Sequence, residues 1–149
     1  MTEVRRISFD TARSDANFSA LLDEYAAESA IDGLPKPECQ VDMYKAMEDS
    51  ELIHILGSFT DDKLTGFIIL ICGVLPHYGA VIATTESFFV SPTYRKSGAG
   101  LMLLREAERL AKSFDAVALV VTAPSGGRLA EVMPKAGYRE SNAVFIRSL

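Results

Sequence analysis

The chain has 149 residues, 48% of them apolar and 23% charged, with a formal net charge of −5. That length suits one domain, residues 1–149, with a sizeable core, and the composition is that of a globular protein rather than a disordered or fibrous one. The acidic balance without a clustered basic face excludes a nucleic-acid footprint, and no apolar run is long enough to span a bilayer.

Val4 to Phe9 reads as a short strand. Ser14 suits an N-cap, and Phe18, Leu21, Leu22 and Tyr25 follow at i, i+3, i+4 and i+7, one face of a helix. Ile31 to Pro37 is a loop punctuated by Gly33, Pro35 and Pro37. A second helix is expected from about Pro37, a residue suited to N1, to Asp49, with Val41, Tyr44 and Met47 among its apolar positions. Leu52 to Phe59 is a strand, and Thr60-Asp61-Asp62-Lys63 a hairpin turn. In the first of these strands, alternation places His54 outward. Leu64 to Leu75 is a long, nearly continuous apolar strand, which predicts a central position covered on both faces.

Pro76-His77-Tyr78-Gly79 is a turn, and Val81 to Val90 the next strand. Gly100 to Ala111 reads as a helix, with Leu103, Ala107, Leu110 and Phe114 on its apolar face and Glu108 and Lys112 able to pair at i, i+4. Ala116 to Val121 reads as a buried strand, Pro124 to Gly127 as a loop and Arg128 to Lys135 as a short helix that Gly137 ends at C′. Tyr138 to Glu140 and Ala143 to Ile146 read as terminal strands. The order is β-α-α-β-β-β-α-β-α-β-β. No repeat, low-complexity segment or linker interrupts it. Arg5 and Arg6 have no apolar stretch behind them, so no signal peptide is expected. Cys39 and Cys72 form no C-x-x-C and read as reduced thiols of a cytoplasmic protein.

Charge is unevenly spread. Residues 1–66 carry a net −8 and residues 67–149 a net +3. The acidic half could steer a cationic partner electrostatically, or it could simply be a solvated surface.

The chemistry concentrates in Val90-Ser91-Pro92-Thr93-Tyr94-Arg95-Lys96-Ser97-Gly98-Ala99-Gly100-Leu101, between the strand Glu86 to Val90 and the helix after it. Glycines let a backbone approach a ligand closely. The first N–H groups of a helix lack intrahelical partners and sit at the positive end of its dipole. Such a loop suits an anion, most naturally a phosphate. A dinucleotide fingerprint would need a third glycine where Leu103 stands, and no G-K-[ST] tripeptide supplies a Walker loop.

What remains, R-x-x-G-x-G after V-x-P, resembles motif A of the GNAT N-acetyltransferases, whose R/Q-x-x-G-x-G/A loop binds the pyrophosphate of acetyl-coenzyme A. Ala130-x-x-Met133-Pro134-Lys135-Ala136-Gly137-Tyr138 is similar to a second segment of that family, A-x-x-x-Y-x-K-x-G-F/Y. The Leu75 to Gly79 turn and the Ser97 to Leu101 loop look like a subset often carried by phages.

The resemblance implies an α/β (α+β) GNAT fold, a mixed central sheet of about seven strands flanked by four helices. It also implies acetyl-CoA as co-substrate, without a metal, and direct transfer of the acetyl group to a primary amine on a small cationic molecule or a protein. Phe89, Val90, Arg95, Lys96, Ser97, Gly98, Ala99, Gly100 and Ser125 would then contact the cofactor. The Val90 N–H would bond the pantetheine arm, and the N–H groups from Arg95 to Gly100 the pyrophosphate. Arg95 and Lys96 either add charge there or are solvated loop cations.

A lysine-like amine has a pKa near ~10.4, so at neutral pH some base must take its proton. Glu86 is the first candidate. Many family members carry a glutamate there, and period-two alternation puts it on one face with Phe88 and Val90, partly desolvated and a better base for it. A surface salt bridge is the plainer role for such a residue. His77, in a turn that could border the acceptor cleft, is the alternative, its ordinary pKa being near ~6.5.

Two positions depart from the family pattern. Met133 stands where relatives carry a general-acid tyrosine, and a thioether cannot donate a proton. Gly127 stands where many carry an asparagine. Tyr138, Tyr78, Tyr94, Ser125 or solvent could serve as the acid, and Met133 could be core.

The departures leave a second reading, a catalytically weak acyl-CoA-binding module that acts through a protein partner. Glu86→Gln separates the two, because only an enzyme has a rate to lose. A third reading, another class of nucleotide-binding protein, is disfavoured by the missing glycine and lysine. The apolar strand Ala143 to Ile146 would serve a homodimer interface or an ordinary intramolecular sheet equally well.

Overall fold

The long apolar stretch of the middle sequence forms the central strand of a five-stranded sheet in the computed structural model, which describes residues 1–149. In chain order the elements are β1 (Thr2–Ile7), α1 (Phe9–Ser14), α2 (Phe18–Ser29), α3 (Val41–Asp49), β2 (Ile53–Thr60), β3 (Lys63–Leu75), β4 (Ala80–Val90), α4 (Ala99–Ser113), β5 (Ala118–Val120) and α5 (Arg128–Val132). Short 3-10 turns cover Pro92–Ser97 and Pro134–Ala136. The sheet order is β1-β2-β3-β4-β5. The first four strands are antiparallel and β5 joins β4 in parallel, so the sheet is mixed, as expected.

Each face of the sheet buries a separate cluster. Helices α1 and α2 cover one face through Phe9, Ala12 and Leu21, and α3 through the partly buried Val41, Tyr44 and Met47, packed against Ile53, Ile55, Phe67 and Phe89. Helix α4 covers the other through Leu103, Leu104 and Ala107, packed against Leu56, Ile68, Leu70 and Val90. Strands β2 and β3 are therefore apolar on both sides, and Leu64, Ile68 and Leu70 are fully buried. The β2–β3 hairpin turns through Asp61 and Asp62 at φ 51° and 61°, the two positive-φ positions that match the strand twist. No helix is long and apolar enough to cross a membrane.

Several sequence expectations are corrected here. A helix that the sequence did not suggest, α1, begins at Phe9, the last residue of the stretch read as the first strand, and the next helix begins only at Phe18 because Asp15 and Asn17 take the backbone away from the helix between them. The Asp15 carboxylate accepts the N–H groups of Asn17 (2.8 Å) and Leu64 (3.2 Å), and Asn17 Nδ2 donates to the Leu64 carbonyl (2.7 Å). Ser14 is not an N-cap; its hydroxyl donates to the Asp10 carbonyl, and Ser8 caps α1 by accepting the Thr11 N–H. Pro37 lies outside α3, which begins at Val41.

His54 is buried rather than outward, stacked on Phe114 with centroids 4.2 Å apart, because β2 is covered on both faces. Glu108 bonds Arg105 and Tyr138, not Lys112. Strand β5 is an edge strand with Ala118 and Val120 exposed, not a buried one. Residues 138–149 form no strand, so the sheet has five strands instead of about seven, flanked by five helices instead of four. Apolar, β-branched sequence favours a strand only where a neighbour offers a ladder, and none lies beside Ala143 to Ile146.

Candidate active site

Strand β4 lies against β3 along its length, but with one irregularity. Ile69 pairs with Ser87 and Leu70 with Thr85, so Glu86 is the extra residue of a β-bulge. Bulges re-aim side chains. This one turns Glu86 away from Phe88 and Val90, which face α4, and onto the face covered by α1, α2 and α3. The period-two placement of Glu86 with Phe88 and Val90 is thereby corrected.

Its carboxylate lies at the mouth of a cavity of about 340 Å³, accessible to solvent rather than desolvated. There Glu86 Oε1 accepts the Tyr44 hydroxyl at 2.8 Å. Burial, and then the charge of Glu86, push the Tyr44 hydroxyl pKa up. Burial and Glu86 do the same, in that order, to Tyr25. Both tyrosines therefore stay protonated donors across the physiological range. Phe9, Phe18, Leu22 and Phe67 supply apolar walls.

A second cavity, of about 330 Å³, opens where β4 and β5 part. The two strands pair only from Ile82 to Thr84, after which the outer edge of β4 carries no ladder. The Ser91 N–H donates to the Thr65 carbonyl on the β3 side (2.9 Å). By alternation, the Val90 N–H and C=O face the open edge. Beyond it the 3-10 turn of Pro92–Ser97 spends its backbone on its own i→i+3 bonds. The first bond within reach of α4 runs from Met102 N to Gly98 O (3.0 Å), leaving Ala99, Gly100 and Leu101 without intrahelical acceptors.

Gly98 takes φ +85°, the left-handed conformation that redirects the chain into α4. A Cβ on Gly100 would lie 3.9 Å from Val90 Cγ2 and 4.0 Å from Phe88, so the glycine keeps the groove floor open.

Of the predicted cofactor residues, Phe89, Val90, Arg95, Gly98 and Gly100 line this groove, whereas Lys96, Ser97, Ala99 and Ser125 do not. Ala99, the first residue of α4, is fully buried, and Ser97 bonds locally, its Oγ donating to the Tyr94 carbonyl and accepting the Ala99 N–H. Arg95 is no free cation. Its Nε donates to the Val90 carbonyl (2.9 Å), its Nη2 meets the Glu28 carboxylate (2.5 Å), and its guanidinium lies over the Phe89 ring.

The unpaired charges at the groove are Arg128 and Lys135, on and beyond α5. Sequence reading placed neither at this groove, although Lys135 lay inside the second family-like segment. His77 sits in the exposed β3–β4 turn against Tyr78 and lines neither cavity. The Tyr138 hydroxyl donates to Glu108 (2.9 Å), and burial, then that bond, raise its pKa; it lines neither cavity. Met133 is core, 8% exposed.

A model of the acetyltransferase (GNAT) family matches residues 18–138. The chain belongs to that family and is, with it, an N-acetyltransferase. No curated protein matches the chain at a significant level. Among solved structures, the ribosomal-protein-alanine N-acetyltransferase of Brucella melitensis biovar Abortus 2308 is 18% identical with a TM-score of 0.73, and 99% of each chain is covered. The aminoglycoside acetyltransferase meta-AAC0020 from an uncultured soil metagenomic sample is 12% identical with a TM-score of 0.76, covering 99% of this chain and 96% of that one. The glucosamine-6-phosphate N-acetyltransferase of Arabidopsis thaliana is 10% identical with a TM-score of 0.72, covering 99% and 97%. At these identities the likeness is one of fold.

Proposed function

We propose that this chain, acting as one catalytic domain, transfers an acetyl group from acetyl-CoA directly to a primary amine. The observation that carries the reading is the run Glu86 to Val90. Glu86 and Ser87 line the cavity under α1, α2 and α3, and Phe88, Phe89 and Val90 line the groove at the β4–β5 parting. One strand thus joins an acceptor cavity to a donor groove. The groove fits a pyrophosphate-bearing chain: free N–H groups at the start of α4, Arg128 and Lys135 beside them, and a β4 edge open at Val90. Acetyl-CoA, when bound, supplies the acyl group activated as a thioester.

Glu86 acts as the base. Its carboxylate attracts the ammonium form of the acceptor and takes one proton, directly or through water, so that the nitrogen lone pair is free to attack the carbonyl carbon. Tyr44 fixes the orientation of that carboxylate. The nitrogen bonds the carbonyl carbon and sheds its second proton to solvent, and as the carbon–sulfur bond breaks the electron pair leaves on sulfur. A thiol with a pKa near ~8.5 is a fair leaving group and takes its proton from solvent, which suits a site where Met133 is core and Tyr138 is engaged by Glu108. The free thiols Cys39 and Cys72 suit the reducing cytoplasm.

The test is thermal unfolding with acetyl-CoA, with ATP and NAD as controls. A ligand at ~100 times its Kd stabilises by ~2.7 kcal/mol. A selective acetyl-CoA shift is expected, and no shift from a folded protein would sink the reading. Glu86→Gln should then keep that shift and lose about 10²–10⁴-fold in thiol release with a responsive amine.

A further inference from the structure

We infer that the amine acceptor is a monoamine with an aromatic or bulky aliphatic body bearing one hydroxyl-sized polar group, not a sugar or a polyamine. This deepens the acetyltransferase reading and rests on it. The cavity beside Glu86 has an aromatic wall: Phe9 stacks on Tyr44 (5.5 Å between centroids) and meets Phe18 edge-on (6.2 Å), while Tyr25 meets Phe67 edge-on (5.4 Å). Leu22, Ile55, Leu64 and Ile69 close the remainder. At about 340 Å³ it stands at the small end of ligand pockets, ~300–1,000 Å³.

A polyhydroxylated sugar would lose hydration on these walls without recovering its hydrogen bonds. A polyamine would carry further ammonium groups into apolar surroundings that offer Glu86, with Glu38 at the rim, as the carboxylates.

The polar signal inside is small and specific. The hydroxyl of Ser87 is buried in this cavity wall with no hydrogen-bond partner. Ser87, 6% exposed, is the residue after the bulged Glu86. Buried polar groups are nearly always paired, so this orphan in the wall marks a place where a ligand completes it. An ammonium group on Glu86, an apolar body against the aromatic rings and one polar substituent toward Ser87 fit the cavity.

The experiment compares kcat/KM by thiol release for tyramine, phenylethylamine and hexylamine with that for spermidine, glucosamine, kanamycin and a lysine peptide. Each amine is also tested alone for its shift of the melting temperature. The expected result is a preference of about tenfold or more for the first group, with tyramine shifting the melting temperature. Ser87→Ala should raise the tyramine KM about two- to tenfold, the worth of one hydrogen bond, and leave that of phenylethylamine unmoved.

Preference for any amine of the second group would overturn the inference while the acetyl-CoA reading stands. So would the absence of both turnover and a melting shift with the first group. If acetyl-CoA itself fails to bind, the transferase reading falls, and the amine's own melting shift still decides the cavity's ligand class.

Discussion

At the scale of single residues, burial decides what each titratable group can do. The bulge brings Glu86 to the solvent-facing mouth of the cavity under α1, α2 and α3, and Tyr44 holds it there. His54 is the opposite case. Its ring is buried against Phe114, and its Nδ1 accepts a hydrogen bond from the Arg6 guanidinium at 2.9 Å. An always-protonated arginine can only donate, so His54 is neutral with its proton on Nε2. Burial first, and then Arg6, lower its pKa below the ordinary value, against a smaller opposing pull from Glu51.

A depressed histidine pKa means that the fold favours the neutral ring. The stability it contributes is complete above about pH 6.5, the unfolded value, and is lost as pH falls through the folded one. Thermal unfolding between about pH 7.5 and 5 should therefore show a steeper loss for the native chain than for His54→Gln. Parallel slopes would mean that the ring titrates as it does in the unfolded chain.

At the scale of elements, the backbone of the loop before α4 was legible because its chemistry is local. The order of Pro92, Arg95, Gly98 and Gly100 fixes a turn followed by a helix start, whatever packs around it. The place of Arg128 and Lys135 beside the groove was not legible, since only the tertiary placement of α5 brings them there. Nor was the face of Glu86, because period-two reasoning has no way to count the extra residue of a bulge. The same reasoning failed at His54, where alternation assumed one wet face and the strand has none.

Gly98 tests the loop directly. At φ +85° an L side chain is strained, yet nothing stands within 4 Å of where its Cβ would go, so backbone conformation alone is at issue. Gly98→Ala should cost about 1–2 kcal/mol, a fall in Tm of roughly 2–8 °C for a chain of this size, and weaken the acetyl-CoA shift. Gly98→Asn, which tolerates the left-handed region, should recover most of both. Equal losses in the two variants would point to a cause other than backbone strain.

At the scale of the whole molecule, the chain leaves both halves of a β-pairing exposed. Strand β5 ends the sheet with an unpaired outer edge. Residues 138–149 pass the end of the fold without a ladder, tethered by the Ser148 hydroxyl donating to the Gly33 carbonyl at 3.2 Å. Val144 and Phe145 are 85% and 91% exposed. An unpaired edge and an apolar, β-branched segment together are a template for pairing between chains. Within one chain the segment forms no ladder with that edge, and a second copy would satisfy both, as the dimer reading of Ala143 to Ile146 expects.

Sedimentation velocity over a concentration series should accordingly show a monomer–dimer equilibrium that Phe145→Asp abolishes. The monomeric variant should keep its acetyl-CoA melting shift, because the groove is built by β4, α4 and α5 of one chain. A native chain that stays monomeric throughout would leave the segment as free surface. A variant that loses the acetyl-CoA shift on dissociation would instead make the second copy part of the site.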